Sequence, residues 1–310
     1  MKNQHSNFSI LISKILFAAF LLFLSTNCVV AQCVDVPTEM TFCGKKIDLR
    51  RYDMHERFDR EQISFLYSHQ RSILMLKKAN QIFPIVAPIL KANNMPADLI
   101  YLMVIESNLN KLALSPAKAA GLWQFLASTA RQYGLEVNDE IDERYHIEKA
   151  TVAACKYLKD AYANFGDWST ACASYNAGMN GINDKLNKQM VDNSYDLYLV
   201  EETSRYVFRI MAAKHFFSSP ADYGYHLQKM DFYHTIRTRE VVVNTAVPNW
   251  IEWAKEQGIT YAMLRDFNPW IRSTKLTNKA GKIYTIKIPI EEDLTYSISK
   301  VNIYNKAWIE

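Results

Sequence analysis

Residues 97–125 read ADLIYLMVIESNLNKLALSPAKAAGLWQF, and they decide how the rest of the chain is read. Glu106 follows Leu99, Leu102 and Met103 by seven, four and three residues. Those spacings share one helix face, so the carboxylate continues an apolar stripe. A carboxylate there is partly desolvated, which favours its protonated form near neutral pH. That is what a general acid requires. The alternative from periodicity alone is a glutamate at a helix end, turned to solvent or paired with a base.

Working outward, Pro96 suits a first helical position and Asp98 a first turn. Upstream, an amphipathic helical pattern runs from about His55 to Phe83. Pro84 and Pro88 are expected to interrupt it, leaving a short helix over Ile85–Lys91 that ends at Asn93-Asn94. Residues 32–54 read as irregular. Downstream, Ser128 or Thr129 is expected to cap a short helix that Gly134 closes. Glu148–Phe165 reads as a strong helix stopped by Gly166. Asp167 caps the next helix, which runs into Ser174-Tyr175-Asn176-Ala177-Gly178. The polar run Met179–Asp192 reads as a flexible loop, and Glu201–Phe217 as a further helix. No strand is expected before about Ser218.

The pattern changes near Met230. Val241–Val243 is β-branched, Trp250–Gln257 and Tyr261–Phe267 read as short helices, and Ile283–Ile288 alternates as a strand. This order of strand, helix, helix and strand predicts a small α/β module over 230–310 behind a mainly α domain. No internal repeat or low-complexity run stands out.

The N-terminus has the form of an export signal. Lys2 and His5 precede an apolar run, Ile15–Leu24, and Val29-Val30-Ala31 offers small residues for cleavage after Ala31. A lipoprotein signal ending at Cys28 is the competing reading, with Asn27 where a small residue is needed. A retained anchor is a third, so periplasmic against membrane-attached stays open. Loss of residues 1–31 removes Lys2, Lys14 and no acid, taking the net charge from +4 to +2. Such mild charge, with no basic stripe, argues against a nucleic-acid binder. Export makes cysteine pairing relevant. Cys33 and Cys43 flank a short loop and are candidates for a disulfide, whereas Cys155 and Cys172 read as buried apolar residues. No cysteine or histidine spacing suggests a metal site, and no cofactor is implied.

Glu106-Ser107, Ser115, Gly121-Leu122-Trp123-Gln124-Phe125, Tyr175-Asn176-Ala177-Gly178 and Glu202-Thr203 with Tyr206-Val207 occur in a fixed order. Phe165-Gly166-Asp167-Trp168 adds to them. In order and spacing they resemble the lytic transglycosylases related to goose-type lysozyme, nearest to the membrane-bound D-type branch. The resemblance covers about residues 80–223, with residues 32–79 packing on that domain. It implies an all-α, lysozyme-like catalytic domain with a groove for peptidoglycan. Glu106 would be the single catalytic acid and base, cleaving the β-1,4 bond between N-acetylmuramic acid and N-acetylglucosamine to leave a 1,6-anhydro end. A hydrolytic muramidase and a catalytically silent wall-binding protein are the alternatives.

By the same resemblance Ser115 would help position the C6 hydroxyl of the sugar, although a turn serine before Pro116 explains it as well. Gln124 would hydrogen-bond the glycan, Leu126 would line the floor, and Tyr175 would bond Glu106 or the muramic acid. Asn176 would fix the glycan or the loop, and Tyr206 would close the other side of the cleft. Ser107, Gly121 and Gly178 read as structural support, with Gly121 allowing close backbone approach to the groove. Trp123 reads as core. The acids Glu136, Asp139 and Glu140 read as solvated surface. Trp250–Ile271, followed by Gly281–Ile286 and Ile288-Pro289, resembles a degenerate LysM domain. Its expected Gly-Asp after the first strand is missing, with Thr238-Arg239 nearby instead, so glycan binding and a purely structural role both stay open.

Overall fold

The computed structural model describes residues 33–310. The expected leader and cleavage site, with Cys28, lie outside them. A hairpin of β1 (Glu39–Phe42) and β2 (Lys45–Asp48) comes first, with Glu39 opposite Asp48 and Phe42 opposite Lys45. Its turn uses Cys43 and Gly44 at φ +49° and +83°, two successive positive φ values that match the right-handed twist of a two-residue hairpin. The segment is therefore not irregular as expected. Cys33 and Cys43 are both free thiols, so the expected disulfide is absent.

Helix α1 spans Tyr52–Tyr67 and α2 spans His69–Ala92. The expected breaks at Pro84 and Pro88 do not occur. Each proline removes one backbone donor, but Phe83, Val86 and Leu90 are buried on both sides of the prolines and hold the helix together. The break falls instead at Ser68 (φ −93°, ψ 56°). By length and composition α2 is long and apolar enough to cross a membrane. Here Met75, Leu76, Ala79 and Phe83 of α2 lie in the core.

A 3-10 turn, Ala97–Leu99, leads into α3 (Ile100–Ser107). Helix α4 (Ala127–Gln132) starts after an extended Leu126, with no side-chain cap from Ser128 or Thr129. Then come α5 (Ile147–Phe165), α6 (Trp168–Ala177), α7 (Met179–Gln189) and α8 (Glu201–Ser218). Asp167 caps α6 by accepting from the Thr170 amide at 2.9 Å. Residues 179–189, expected as a loop, form α7. Gly178 turns the chain at φ +80°, and Ile182 anchors the helix in the core.

One core joins these helices, centred on Leu102, Met103, Trp123, Leu158, Phe208 and Phe216. The final residues return to it: Val301 and Trp308 are buried there, and the Trp308 indole donates to the Phe217 carbonyl at 2.7 Å. The tail thus packs with the helical domain, although it follows the module in sequence.

The module itself pairs β3 (Thr238–Val243) antiparallel with β4 (Tyr284–Pro289), placing Val241 opposite Ile286. Helices α9 (Trp250–Glu256) and α10 (Tyr261–Phe267) lie between the strands in sequence. Asn249 and Thr260 cap them through their side chains. A second core, around Trp250, Leu264, Ile271 and Ile286, also takes in Ala120, Ile141 and Tyr145 of the helical domain. Glu140 accepts from Thr277 at 2.8 Å, and Glu136 accepts from the Tyr284 hydroxyl at 3.1 Å. These two acids join the parts rather than facing bulk solvent as expected.

Candidate active site

Glu106 occupies the last turn of α3, half-buried. Its face is fixed by Leu99, Leu102 and Met103, all fully buried. The helix stops because Asn108 and Leu109 both take positive φ (+48° and +56°). Ser107 turns its hydroxyl back to the Met103 carbonyl at 3.1 Å and so supports the helix end.

The carboxylate meets α8. The Tyr206 hydroxyl donates to Glu106 Oε1. Burial pushes the Glu106 carboxyl up to about 7, and the charge of Glu202 adds to that rise. The Tyr206 hydrogen bond and the Arg209 guanidinium oppose it. Arg209 is itself held by Glu61 of α1 at 3.4 Å. Tyr206, expected to close the other side of the cleft, bonds the acid directly, and its electrostatic neighbours Glu202 and Arg209 are not among the expected site residues. Spacing carries that signal: Glu202, Tyr206 and Arg209 are four and three residues apart, on one face of α8.

The hydroxyl of Tyr175 is committed elsewhere: it donates to the Trp123 carbonyl at 2.7 Å. Burial raises its phenol well above the ordinary range, and the Glu106 charge raises it further. Tyr175 therefore lies near the acid without bonding it, and it is Tyr206 that takes the hydrogen bond to Glu106 expected of Tyr175. Trp123 is buried and donates to Thr151 at 2.9 Å, as a core residue.

The segment from Ala113 to Phe125 is a loop braced by its own atoms. The Ser115 hydroxyl accepts from the Ala119 amide at 3.0 Å, which is the turn-serine alternative. Gln124, at φ +48°, donates to the carbonyls of Gly121 (2.8 Å) and Ala113 (3.3 Å). Its amide nitrogen faces the loop, not an open groove. Gly121 stands at φ +76°, where a Cβ would lie 1.9 Å from the Arg144 carbonyl oxygen. The close approach expected of it is thus to protein backbone. Arg144, which is not among the expected site residues, braces the same loop. Its guanidinium donates to the carbonyls of Lys118 (2.8 Å) and Phe125 (3.1 Å), and it is neutralised by Asp142 at 2.7 Å.

Leu126 remains 46% exposed, as do Leu112 and Leu114 to a greater extent, so these side chains are free to meet a ligand. Asn176 accepts from the Thr203 hydroxyl at 2.8 Å and ties the end of α6 to α8. Gly178 provides the turn from α6 into α7. Among the described residues no cluster of His, Cys, Asp and Glu is arranged to hold a metal ion.

Residues 84–197, which contain Glu106, the loop and Asn176, match the family described as the transglycosylase SLT domain. The chain carries an SLT transglycosylase domain. Residues 239–292 match the soluble lytic transglycosylase C-terminal LysM-like domain, so the missing Gly-Asp does not remove the module from that class. Among curated relatives, membrane-bound lytic murein transglycosylase D of Escherichia coli (strain K12) is 30% identical over 199 residues, covering 62% of this chain and 43% of the relative. The protein of the same name from E. coli O6:H1 matches to the same extent. A protein of Alteromonas sp. (strain M-1) named for tributyltin chloride resistance is 33% identical over 86 residues, 27% of this chain and 42% of that one. The chain spans less than half the length of these relatives.

Proposed function

We propose that this SLT domain is a peptidoglycan lytic transglycosylase that uses Glu106 as its one acid and base. The observation that carries the reading is the Glu106 carboxyl, half-buried and raised to about 7, with the Tyr206 hydroxyl on one oxygen. At neutral pH a large share of it holds a proton, ready for the departing glycosidic oxygen.

The chemistry follows from having a single acid. Glu106 donates its proton to the oxygen that links muramic acid C1 to the next N-acetylglucosamine, and that bond breaks. The carboxylate left behind keeps the Tyr206 hydrogen bond, which favours the charged form. It then takes the proton from the C6 hydroxyl of the same muramic acid. The freed oxygen closes on C1 and forms the 1,6-anhydro ring. Glycosidases ordinarily need a second carboxylate as nucleophile or to activate water. Here the substrate holds its own nucleophile beside C1, and that proximity replaces the missing group.

Hydrolysis is the second reading, and Glu202 is the observation in its favour, being an acid close enough for Glu106 to feel its charge. Product analysis separates the two. Purified sacculi treated with the enzyme are expected to yield anhydro-muropeptides by mass spectrometry, with Glu106→Gln reducing turnover by orders of magnitude. Ordinary reducing ends, lost on Glu202→Gln, would assign the chain to hydrolysis. The name of the E. coli relatives supports a site of action at the cell envelope.

A further inference from the structure

A cavity of about 420 Å³ lies where the SLT domain meets the LysM-like module, and Glu106 is not among its lining residues. Its walls come from α2, from the loop after α3, from the segment ahead of α5, and from β3, α10 and β4. Ile82, Ile85, Leu109, Leu112, Phe267 and Trp270 make it largely apolar. The volume falls within the range of pockets that hold small ligands.

The charges in the wall are unequal. Asp266 is taken up by Lys111 at 2.6 Å. Glu148 is paired with Lys287 and lies 3.2 Å from His146. Both pairs span the two parts of the molecule and leave neither carboxylate unpartnered. Lys78 also lines the cavity, and among the described residues it has no carboxylate partner. One spare cation beside an apolar pocket complements a ligand with a carboxylate and an aliphatic body. It does not suit a polyanion, and a neutral sugar makes no use of it. The aromatic surface that a sugar would need is already engaged, since Trp270 stacks on both His146 and Tyr284.

We propose that this junction cavity binds the acidic stem peptide of peptidoglycan, with Lys78 receiving a peptide carboxylate and the wall of Ile85, Leu112 and Phe267 receiving the aliphatic side chains. This deepens the reading of the chain as a peptidoglycan enzyme and rests on it. The loop Leu109–Leu112 forms one wall and begins three residues after Glu106. The cavity wall is thus continuous in the chain with the turn that carries Glu106, and the proposed site places the peptide of a strand held at Glu106 against that wall. Joining two contacts on one substrate raises the effective concentration for the second.

The test is isothermal titration of the full chain with synthetic alanyl-γ-D-glutamyl-lysine. Wild type is expected to bind it. Amidating the peptide carboxylates should weaken binding about tenfold, the scale of one charge-assisted contact. Lys78→Glu should weaken it by at least as much, while Lys78→Arg retains it. The amidated peptide needs no variant, so the test survives a Lys78→Glu protein that fails to fold. No binding, or binding indifferent to both amidation and Lys78→Glu, overturns the site even if sacculi are cleaved. Cleavage of sacculi is measured separately on the same protein. Peptide binding without any cleavage product overturns the enzymatic reading and leaves the cavity assigned to acidic peptides.

Discussion

Tyr206 of α8 donates its hydroxyl to the Glu106 carboxylate of α3, two residues one hundred positions apart in sequence. The bond stabilises the ionised form, so it acts against the burial that raises Glu106. Tyr206→Phe removes the donor and leaves the buried ring in place. The Glu106 carboxyl should then rise further, by about one pH unit for a hydrogen bond to a charged group. Activity needs the protonated acid, so its alkaline limb should move to higher pH while the maximal rate falls. A pH profile of anhydro-muropeptide release from sacculi measures both. An alkaline limb that stays in place would mean that another group sets it.

The same carboxyl makes folding depend on pH. Its value in the folded protein is about 7, against 4.5 ordinarily. Below about 4.5 both folded and unfolded chains hold the proton, and Glu106 costs nothing. As pH rises toward 7 the unfolded chain gives up its proton while the folded one keeps it, so stability falls. Above 7 the loss is complete, on the order of 3 kcal/mol. Glu106→Gln carries no such penalty. It should melt close to wild type near pH 4 and well above it at pH 8, by thermal unfolding at each pH. A gap that is constant with pH would refute the raised value.

Two glycines separate strain from collision. Gly121 and Gly178 both have positive φ, +76° and +80°. A Cβ at Gly178 meets nothing within 4 Å, whereas at Gly121 it meets the Arg144 carbonyl at 1.9 Å. Gly178→Ala should therefore cost about 2 kcal/mol, the backbone penalty alone, since φ +80° with ψ 144° is a conformation essentially confined to glycine. Gly121→Ala adds a clash that only backbone movement relieves, and should cost about 3 kcal/mol or more. Urea unfolding of the two variants is the comparison. Equal losses would mean that the loop moves aside freely.

Much of this site was legible because helix spacing carries it. Three buried side chains, Leu99 in the turn before α3 and Leu102 and Met103 within it, placed Glu106, and the order of the motifs brought α6 and α8 to it. What stayed hidden depends on geometry that residue types do not encode. The Cys43-Gly44 turn produced a hairpin in a segment with little alternation. Buried neighbours kept α2 continuous through two prolines. Helix α7 is polar along most of its length and rests on Ile182. Gln124 and Ser115 have the chemistry to hold a sugar, yet both spend hydrogen bonds on their own loop. Their backbone partners are close in sequence, and no residue pattern distinguishes such a bond from one to a ligand.

Arg144 is the plainest case of a residue the sequence could not assign. Its partners, the carbonyls of Lys118 and Phe125, lie 26 and 19 positions away. Both belong to the loop that runs from the Glu106 helix to Leu126. The guanidinium is buried and paired with Asp142, which is buried too. Arg144→Met keeps the length of the chain but deletes the donors to both carbonyls and leaves Asp142 uncompensated. Breaking a buried pair in this way costs about 3–5 kcal/mol. Replacing Asp142 as well, in Arg144→Met with Asp142→Asn, should recover part of that loss without restoring the loop. Hydrogen exchange at the amides of Ala119, Ala120 and Gly121 reports on the loop, and chemical denaturation reports on stability. The single variant should lose in both, and the double variant should regain stability alone. If the double variant restored amide protection as well, the loop would be held by its own hydrogen bonds and not by Arg144.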